Sequence, residues 1–562
     1  MIISFGNVSQ KMIKQLLNLL KLLTVIGILA CSQVLAADYL DSPFSGLLSD
    51  RPPAYKDLSP EKLHIWKKLL HYDLNENISQ ISAESTFFLS PDGHSDPEAE
   101  YNATIQFFEK DIHNICFYPA RFYLIYGRDI PGEMIQEEGC RIFRDYTDNV
   151  GLDKLYIIYV SEDVIIPISA NGHIFTKLAG TNAKGKYREY GLTFAASEND
   201  MTDLVLKFFS NSIDGIYSIK PYYENAMDYL TNDRSLWEFE INLTEEQKKI
   251  FYLHVIELRH RNTLYSFFNI NCASGMSKAL AVADDRLDSE NIVFFETPLE
   301  YISEIYRKPG LVSGIEVLPS ESENLYFSQN RMSTPVNSPK SIRLEAGGLH
   351  SSIYGNGMSL RFAPTLNNIK DDNRFSPALA ESKFLEFTGR YLNGKFLLSD
   401  LELVNLNPIP DARLGKFSAF SFFAALHNNV DAEHVGLYPE LALGNAVSYR
   451  MGNFIPYVHA YYGYAVPHSN NHVFVRPEAG IFYWDRTVGK INLSYEIPLT
   501  THQYYRNYMY RYKATWSKSL TNNFSVNAEF TDYKLGHNDS APRRGYPGRH
   551  LTEAGASLVF HF

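Results

Sequence analysis

The chain has 562 residues and a formal net charge of −12. That length is too great for one ordinary domain and predicts about two or three. Because the charge is negative and the sequence contains no block of basic residues, it offers no electrostatic basis for a nucleic-acid partner. Aromatic residues make up 14% of the chain, with 38 Tyr and 36 Phe but only 4 Trp. So many aromatic side chains require a location other than one compact core.

The N-terminus, residues 1–36, has the pattern of a secretory signal peptide. Lysines precede an apolar run from Leu22 to Ala30, and small residues around Ala36 offer a cleavage site. Translation from Met12 would give a signal of more ordinary length. Two alternatives stay open. Cys31 lies in a loose lipoprotein box and would then be lipidated, or the apolar run is a retained anchor, although it is short for a hydrocarbon layer about 30 Å thick.

The cysteine count after cleavage at Ala36 is odd, since Cys116, Cys140 and Cys272 remain. Export implies an oxidising compartment, where an odd count leaves one thiol unpaired. The partition we expect is a Cys116–Cys140 disulfide, which closes a short loop, and a free Cys272. The sequence alone does not prove this pairing.

Residues 37–145 have the pattern of a mostly helical region. Ser59 followed by Pro60 predicts a helix start, with the serine as the cap and the proline at the first helical position. A second helical segment is predicted through Phe107 as far as Cys116, ending before Pro119. Between the two helical segments, a loop rich in Ser, Asp, Gly and Pro is predicted near Ser90–Glu98.

Residues 146–315 have an α+β pattern. A Thr244-Glu-Glu-Gln247 capping box predicts a helix from about Glu245 to Arg259. The β-type runs that precede this helix are Leu155–Val160, Tyr190–Ala195 and Leu236–Leu243, and Asp203–Phe209 suggests a further element. Strands, then a helix, then the remaining cysteine indicate an α+β domain.

The C-terminal segment, residues 341–562, follows a polar linker at 316–340 and has short alternating stretches separated by turn residues. Its last strand is the clearest, because alanines, Leu558, Phe560 and the terminal Phe562 fall on one face. A transmembrane β-strand needs about ten alternating residues with aromatics at the interfaces. We therefore expect an outer-membrane antiparallel β-barrel of roughly 10–12 strands. A soluble β-sandwich is the alternative, since it alternates as well.

The predicted barrel gives the chain an orientation. An even number of strands places both ends of the barrel in the periplasm of a Gram-negative cell, and makes Gly536–His550 the last extracellular loop. The expected partners are outer-membrane lipid and the barrel-assembly machinery, which recognises a terminal aromatic strand. The domain with Cys272 would lie on the periplasmic side.

Cys272 is the candidate nucleophile. An aromatic, strand-like run enters Asn271-Cys272, and a helical run of small residues leaves it, which is how several cysteine enzymes place a thiol at a helix N-terminus. The alternative is a buried structural cysteine. A thiol also needs a base, and His173, which follows Gly172 after a strand-like run, is the best candidate among 17 histidines. The alternative is an ordinary loop histidine.

The residues around this pair resemble one known family. The Gly-His segment at His173 is joined by Gly215, by Pro221-Tyr-Tyr223, and by His254 with Glu257-Leu258. The other matching stretches are Arg234-Ser-Leu-Trp-Glu-Phe-Glu-Ile-Asn-Leu-Thr244, Phe268-Asn-Ile-Asn-Cys272 and the upstream Cys116-Phe-Tyr-Pro-Ala-Arg121. Together they are similar to the periplasmic cysteine-enzyme domain of the lipoprotein intramolecular transacylase, Lnb. The resemblance covers residues 100–300 well and the barrel in outline.

The resemblance implies a permuted papain-like fold of the peptidoglycan-endopeptidase type, with Cys272 as nucleophile and His173 as general base. This sequence departs from the family at two places: Asn171 stands where phenylalanine often precedes the Gly-His pair, and Thr193 stands where asparagine is common. The third polar group of the site is therefore open. Its candidates are Glu189, Asn271 and Glu257. We interpret Glu257 and His254 as helix-surface residues, although Glu257 could support the site.

The function that we expect is a cysteine acyltransferase or hydrolase, tethered to the outer membrane, that acts through a thioester on lipid or lipoprotein acyl groups. Two alternatives stay open. One is a peptidoglycan amidase or endopeptidase, and the other is a non-enzymatic pore or adhesin with a periplasmic binding module. Nothing in the sequence indicates a metal or an organic cofactor.

Overall fold

The computed structural model describes most of the chain. The described ranges are 44–73, 78–162, 172–197, 213–259, 261–266, 270–289, 297–327, 334–364, 368–372, 379–392, 394–415, 419–428, 437–466, 472–500, 508–535 and 550–562. Outside them lie the predicted signal peptide with Cys31, the predicted element Asp203–Phe209, and all but the last residue of the predicted loop Gly536–His550.

The N-terminal region is mostly helical. As predicted, Pro60 opens the first helix and the Ser59 side chain caps it by accepting a hydrogen bond from the N–H of Lys62 at 3.2 Å. The helices are α1 (Pro60–Leu69), α2 (Pro97–Lys110), α3 (Pro119–Tyr126), α4 (Gly132–Ile135) and α5 (Arg141–Asn149), with a small ribbon of β1 (Tyr72–Asp73) and β2 (Ile78–Ser79). No helix in the described ranges is both long enough and apolar enough to cross a membrane.

A seven-stranded antiparallel sheet forms the centre of the next domain. Its strands are β3 (Lys154–Val160), β4 (His173–Thr181), β5 (Tyr187–Ala196), β6 (Ile213–Pro221), β7 (Leu236–Ile241), β8 (Asn262–Tyr265) and β9 (Val312–Leu318). They lie in the order β8-β6-β5-β4-β3-β7-β9. The helices of this domain are α6 (Tyr222–Thr231), α7 (Glu245–Leu258), α8 (Cys272–Leu280), α9 (Pro298–Arg307) and α10 (Glu321–Phe327).

Side-chain alternation gives this sheet two covered faces. Ile174 and Leu178 of β4 belong to the large core that includes residues of α7, α8 and α9. Phe175 and Ala179 of the same strand pack on the other face with residues of α6. Consequently β4 is buried on both sides, with α8 over one face and α6 over the other.

The predicted helix after β7 is present and begins as expected. The Thr244 side chain accepts from the N–H of Gln247, and the Gln247 side chain accepts from the N–H of Thr244, so the capping box is complete. The predicted linker, by contrast, begins too early. Glu316 to Leu318 are the last residues of β9, paired with Glu238, Trp237 and Leu236 of β7, so the sheet extends into the segment that the polar composition assigned to a linker.

The C-terminal segment is a closed antiparallel β-barrel, with twelve long strands and the two-residue β19 in the described ranges. Closure is made by pairing of the first strand with the last and of β16 with β17. The strands are β10 (Ile342–Ser351), β11 (Gly355–Pro364), β12 (Ala380–Leu392), β13 (Lys395–Pro408), β14 (Ala419–His427), β15 (Tyr438–Ser448), β16 (Phe454–Ala465), β17 (His472–Asp485), β18 (Gly489–Glu496), β19 (Leu499–Thr500), β20 (Tyr508–Thr521), β21 (Phe524–Leu535) and β22 (His550–His561).

The barrel has an apolar outside and a charged inside. On the last strand Leu558, Phe560 and Phe562 are exposed, whereas Glu553 and Val559 point inward and are buried, as the alternation predicted. The exterior also carries exposed Met358, Leu441, Val458, Tyr462, Val473, Leu493, Trp516 and Phe530. The lumen holds a cavity of about 250 Å³ lined mainly by charged and polar side chains. An apolar belt around a closed barrel is the surface that a bilayer requires, which excludes the soluble sandwich.

The periplasmic domain and the barrel meet directly. Glu300 of α9 accepts hydrogen bonds from the N–H and the hydroxyl of Ser341, at 3.0 and 2.8 Å. Ser341 is the residue immediately before β10. At the same rim the N–H of Phe562 donates to the carbonyl of Ile342 at 3.0 Å. The domain therefore sits on the rim of the barrel where both barrel termini lie.

Candidate active site

Cys272 is the first residue of α8, and Asn271 fixes that helix start. The Asn271 side-chain oxygen accepts from the N–H groups of Ala273 and Ser274 at 2.9 and 3.2 Å. The Ser274 hydroxyl in turn accepts from the N–H of Asn271 at 2.9 Å. This capping box occupies the Asn271 side-chain oxygen. Asn271 therefore positions the thiol, and its oxygen does not position a group that transfers a proton.

The thiol of Cys272 is buried and is not part of a disulfide. Burial raises the pKa of the Cys272 thiol to about 11. The backbone N–H of Ile174, the Arg234 guanidinium and the N–H groups of Cys272 and Ala273 act in the opposite direction. Cys272 is therefore a protonated thiol at neutral pH, surrounded by donors that favour the thiolate once it forms.

His173 begins β4 and is the neighbour of Ile174, whose N–H approaches the thiol. Gly172 precedes it with φ of +81°, and a Cβ there would lie 2.7 Å from the carbonyl oxygen of Val160. The close approach that we expected of this glycine is thus present. The His173 ring lies 5.9 Å from the Tyr229 ring and makes no hydrogen bond within the described structure. Burial, with Arg234 second, lowers the pKa of His173 to about 3 and keeps the imidazole neutral.

Arg234 and Tyr229 complete the cluster at this end of the sheet. The guanidinium carbon of Arg234 lies 5.1 Å from the centre of the Tyr229 ring, and Nε donates to the carbonyl of Ser161 at 2.7 Å. Burial raises the pKa of Tyr229 to about 12, and the neighbouring charge of Cys272 acts in the same direction. Cys272, His173 and Tyr229 therefore each lie within electrostatic reach of Arg234.

The structure does not bring Glu189 to this site. Glu189 lies opposite Ala179 on β4, six residues along the strand from His173, which is roughly 20 Å at about 3.3 Å per residue. Its carboxylate is 3.9 Å from the Lys177 ammonium. It therefore cannot orient a histidine at the start of the strand.

Glu257 and His254 are not helix-surface residues, because both side chains are completely buried. Glu257 accepts from the N–H groups of Ala120 and Arg121 at 2.7 and 3.0 Å, and so caps α3 from another helix. Tyr118, the residue before α3, supplies no side-chain cap of its own. The surface interpretation failed because one turn of sequence does not reveal that a second helical layer covers α7.

The remaining cysteines are joined in the helical region. Cys116 and Cys140 form a disulfide with a Cα–Cα distance of 5.3 Å, and they belong to the core of that region rather than to the site. In the described ranges no group of three or more His, Cys, Asp or Glu side chains is arranged to hold a metal ion.

Sequence reasoning missed Arg234 and Tyr229 as site residues. Arg234 begins the Arg234–Thr244 motif of the sequence, but the motif assigned it no role. Its buried position before β7 follows from the strand order β4-β3-β7. That order brings the starts of β4 and β7 to the same end of the sheet. Neither residue has a local pattern that separates it from an ordinary surface arginine or core tyrosine.

The fold and the site define a periplasmic α+β module with a candidate Cys–His pair, carried by an outer-membrane β-barrel. Residues 143–307 match the family model of the Lnb N-terminal periplasmic domain. Residues 59–127 match a domain of unknown function, DUF7843. The chain therefore combines an Lnb-type periplasmic domain with a C-terminal barrel in the outer membrane, as the sequence resemblance predicted. Among curated proteins, none matches this sequence significantly.

Solved structures similar to this chain are outer-membrane proteins. The NanC porin is 10% identical, with 39% of this chain and 100% of that chain covered and a TM-score of 0.27. Omp33 of Acinetobacter baumannii is 8% identical, with 40% of this chain and 100% of that chain covered and a TM-score of 0.21. An anion-selective porin from Comamonas acidovorans is 9% identical, with 73% of this chain and 97% of that chain covered and a TM-score of 0.20. The barrel assignment rests on the strand pairing and apolar exterior of this chain itself.

Proposed function

We propose that the periplasmic domain is a cysteine acyltransferase or hydrolase that acts through a thioester on lipid or lipoprotein acyl groups. The observation that carries the proposal is the position of Cys272, at a buried helix start, beside the residue that follows His173. Acyl transfer needs a thiol at a helix N-terminus with backbone donors beside it and a base within reach, and His173 is the neutral imidazole at this end of the sheet.

The first half of the reaction forms the thioester. His173 accepts the thiol proton as the Cys272 sulfur attacks the acyl carbonyl, and the carbonyl oxygen becomes an oxyanion. The N–H groups of Ile174 and Cys272, which lie beside the sulfur, are the donors that we assign to that oxygen. The imidazolium then returns its proton to the departing alkoxide, which leaves as an alcohol. The acyl group remains on sulfur.

The second half releases the acyl group. An amine or a water attacks the thioester, its proton passes through His173, and Cys272 leaves as the thiol. A pKa of His173 near 3 makes the free imidazole a weak base. The thiolate that forms beside it raises its proton affinity, because an opposite charge favours the protonated ring. The pair therefore becomes competent when the substrate is bound, not at rest.

The contact between the domain and the barrel supports a lipid or lipoprotein substrate. Glu300 binds Ser341 directly before the first barrel strand, so the domain is held at the membrane surface. Acyl chains are anchored in that surface, whereas peptidoglycan strands are displaced from it. Proximity of this kind raises the effective concentration of a membrane-bound acyl group.

The proposal is tested by mass spectrometry of lipids, lipoprotein N-termini and muropeptides from cells that express the wild-type chain or variants. We expect the wild-type chain to change the acyl-lipid or lipoprotein pools of the cells. Cys272→Ala and His173→Ala should each abolish that change. The matched controls are Glu189→Gln, at an exposed residue at the opposite end of the sheet, and His64→Gln, at an exposed histidine bound to Asp285. Both should retain the change that the wild type produces.

Other outcomes lead to the alternatives. A Cys272-dependent change confined to muropeptides would replace acyl transfer to lipid by amidase or endopeptidase activity. Equal pools for the wild type, Cys272→Ala and His173→Ala would contradict catalysis and leave the barrel as the working part.

A further inference from the structure

A second, unassigned group at the site is the buried guanidinium of Arg234. The residue is 5% exposed. Its Nε is bound to the Ser161 carbonyl, but its Nη2 is buried and has no hydrogen-bond partner. In the described structure no carboxylate lies within 4.0 Å of it. A buried cation without a counter-ion is costly, and proteins keep such a group where a ligand supplies the negative charge.

Arg121 shows how this domain treats a buried arginine that serves the fold. Its guanidinium is completely buried, and it is paired with Glu100 at 2.5 Å and Glu257 at 3.7 Å. Arg234 has the same kind of burial but no such pairing. The difference separates a structural arginine from one whose partner is absent from the chain.

The groups around Arg234 are also donors without partners. The Tyr229 hydroxyl and the His173 imidazole make no hydrogen bonds within the described structure, although both rings pack closely against their neighbours. The Tyr229 ring centre lies 5.1 Å from the guanidinium carbon, within cation–π distance. A guanidinium N–H and a phenol O–H together match the oxygens of one anionic group.

We propose that Arg234 and Tyr229 form an anion subsite beside Cys272 that binds the phosphate of a glycerophospholipid acyl donor. Two arguments favour a phosphate. The domain is bound to the rim of the barrel, where phospholipid head groups are the anions at hand. A glycerophospholipid also carries its phosphate on the same glycerol unit as its acyl esters, so the subsite would hold one ester carbonyl near the thiol.

This inference rests on the proposed function for its meaning, but its test does not require activity. The full chain with Cys272→Ala, purified in an uncharged detergent, is titrated with three probes, and binding is measured by native mass spectrometry. The probes are lysophosphatidic acid, a monoacylglycerol with the same acyl chain, and glycerol 3-phosphate. Because the thiol is absent, a lack of turnover cannot be mistaken for a lack of binding.

We expect lysophosphatidic acid to bind roughly 10- to 100-fold more tightly than the monoacylglycerol, as a hydrogen-bonded charge pair gives. Arg234→Gln should remove that preference, Arg234→Lys should retain part of it, and Tyr229→Phe should reduce it. Glu189→Gln is the matched control and should leave it unchanged.

Three results would overturn the subsite. They are equal binding of the two lipids, a preference that persists in Arg234→Gln because barrel residues hold the phosphate, and loss of preference in the Glu189→Gln control. Binding of glycerol 3-phosphate as tightly as lysophosphatidic acid would overturn the lipid source and identify a free phosphate as the occupant. If Arg234→Gln fails to fold, the comparison of Arg234→Lys with Tyr229→Phe decides: both must weaken the preference.

Discussion

The barrel lumen and the periplasmic site both bury charge, but they treat it differently. In the lumen Arg343 lies 2.8 Å from Glu345 and 2.9 Å from Asp371, and Lys383 lies 2.7 Å from Glu381. At the site Arg234 has no carboxylate partner in the described structure. The lumen charges are therefore balanced within the chain, whereas the guanidinium of Arg234 is the one that we propose to bind an anion.

The largest effect is expected from breaking a lumen pair. Glu345 contacts Arg343 and Arg361 and accepts from the Ser557 hydroxyl at 2.6 Å. Glu345→Gln should cost about 3–5 kcal/mol of barrel stability, since it removes a buried carboxylate that pairs with two guanidinium groups. The measurement is the urea concentration at which half of the barrel is unfolded. The folded fraction is read from the heat-modifiable migration of the barrel on gels.

The matched control for that change is Asp532→Asn at the exposed pair with His550, 2.9 Å apart. A solvent-exposed pair contributes about 1 kcal/mol or less. Equal losses for Glu345→Gln and Asp532→Asn would show that the buried lumen pairs do not stabilise the barrel more than surface pairs.

A smaller effect is expected at Glu323, a buried carboxyl near the site with one oxygen that has no partner. Burial raises the pKa of Glu323 to about 7; the Ser235 hydroxyl opposes this, and the nearby Glu162 and Asp233 add to it. Between pH 4.5 and 7 the unfolded chain has already lost this proton while the folded chain keeps it. Stability therefore falls as pH rises through this window.

Glu323→Gln removes that pH-dependent cost. At pH 8 the variant should unfold at a higher temperature than the wild type, because its free energy of unfolding is greater by about 3 kcal/mol. Near pH 4 the two proteins should unfold at the same temperature. The check is a thermal unfolding series from pH 4 to pH 8, with the exposed Glu316→Gln as control. A constant difference at all pH values would contradict ionisation as the cause.

The smallest effect on stability is expected at Arg234 itself. Arg234→Met loses the bond to Ser161 but also relieves an unpaired buried charge, so unfolding should change by about 1 kcal/mol or less. Arg121→Met, at the fully buried arginine paired with Glu100, should cost about 3–5 kcal/mol. Denaturant titration of both variants measures the contrast. Similar losses would place Arg234 with the structural arginines.

The sequence predicted the architecture because its signals were periodic. The alternation that ends at Phe562, the Thr244 capping box and the Ser59-Pro60 helix start are local patterns that tertiary context left intact. The Lnb-type resemblance, which depended on short motifs, was confirmed over residues 143–307.

The site was predicted less completely, because its members meet only through the strand order. Cys272 and His173 were expected as a pair, and that pairing remains a proposal. Glu189 was one of three candidates for the third polar group, yet it lies near the start of β5, at the end of the sheet away from His173. Arg234 was overlooked because its burial depends on the end of β3 lying between the starts of β4 and β7, which no single segment reveals.

The central claim is that Cys272 carries an acyl group, and trapping that thioester tests it most directly. The purified full chain would be incubated with outer-membrane phospholipids and lipoproteins, and the peptide that contains Cys272 would be analysed by mass spectrometry with and without hydroxylamine. We predict an acyl mass on Cys272 that hydroxylamine removes and that His173→Ala prevents. An unmodified Cys272 peptide in the wild type, under conditions where Cys272-dependent lipid changes occur in cells, would contradict the thioester route.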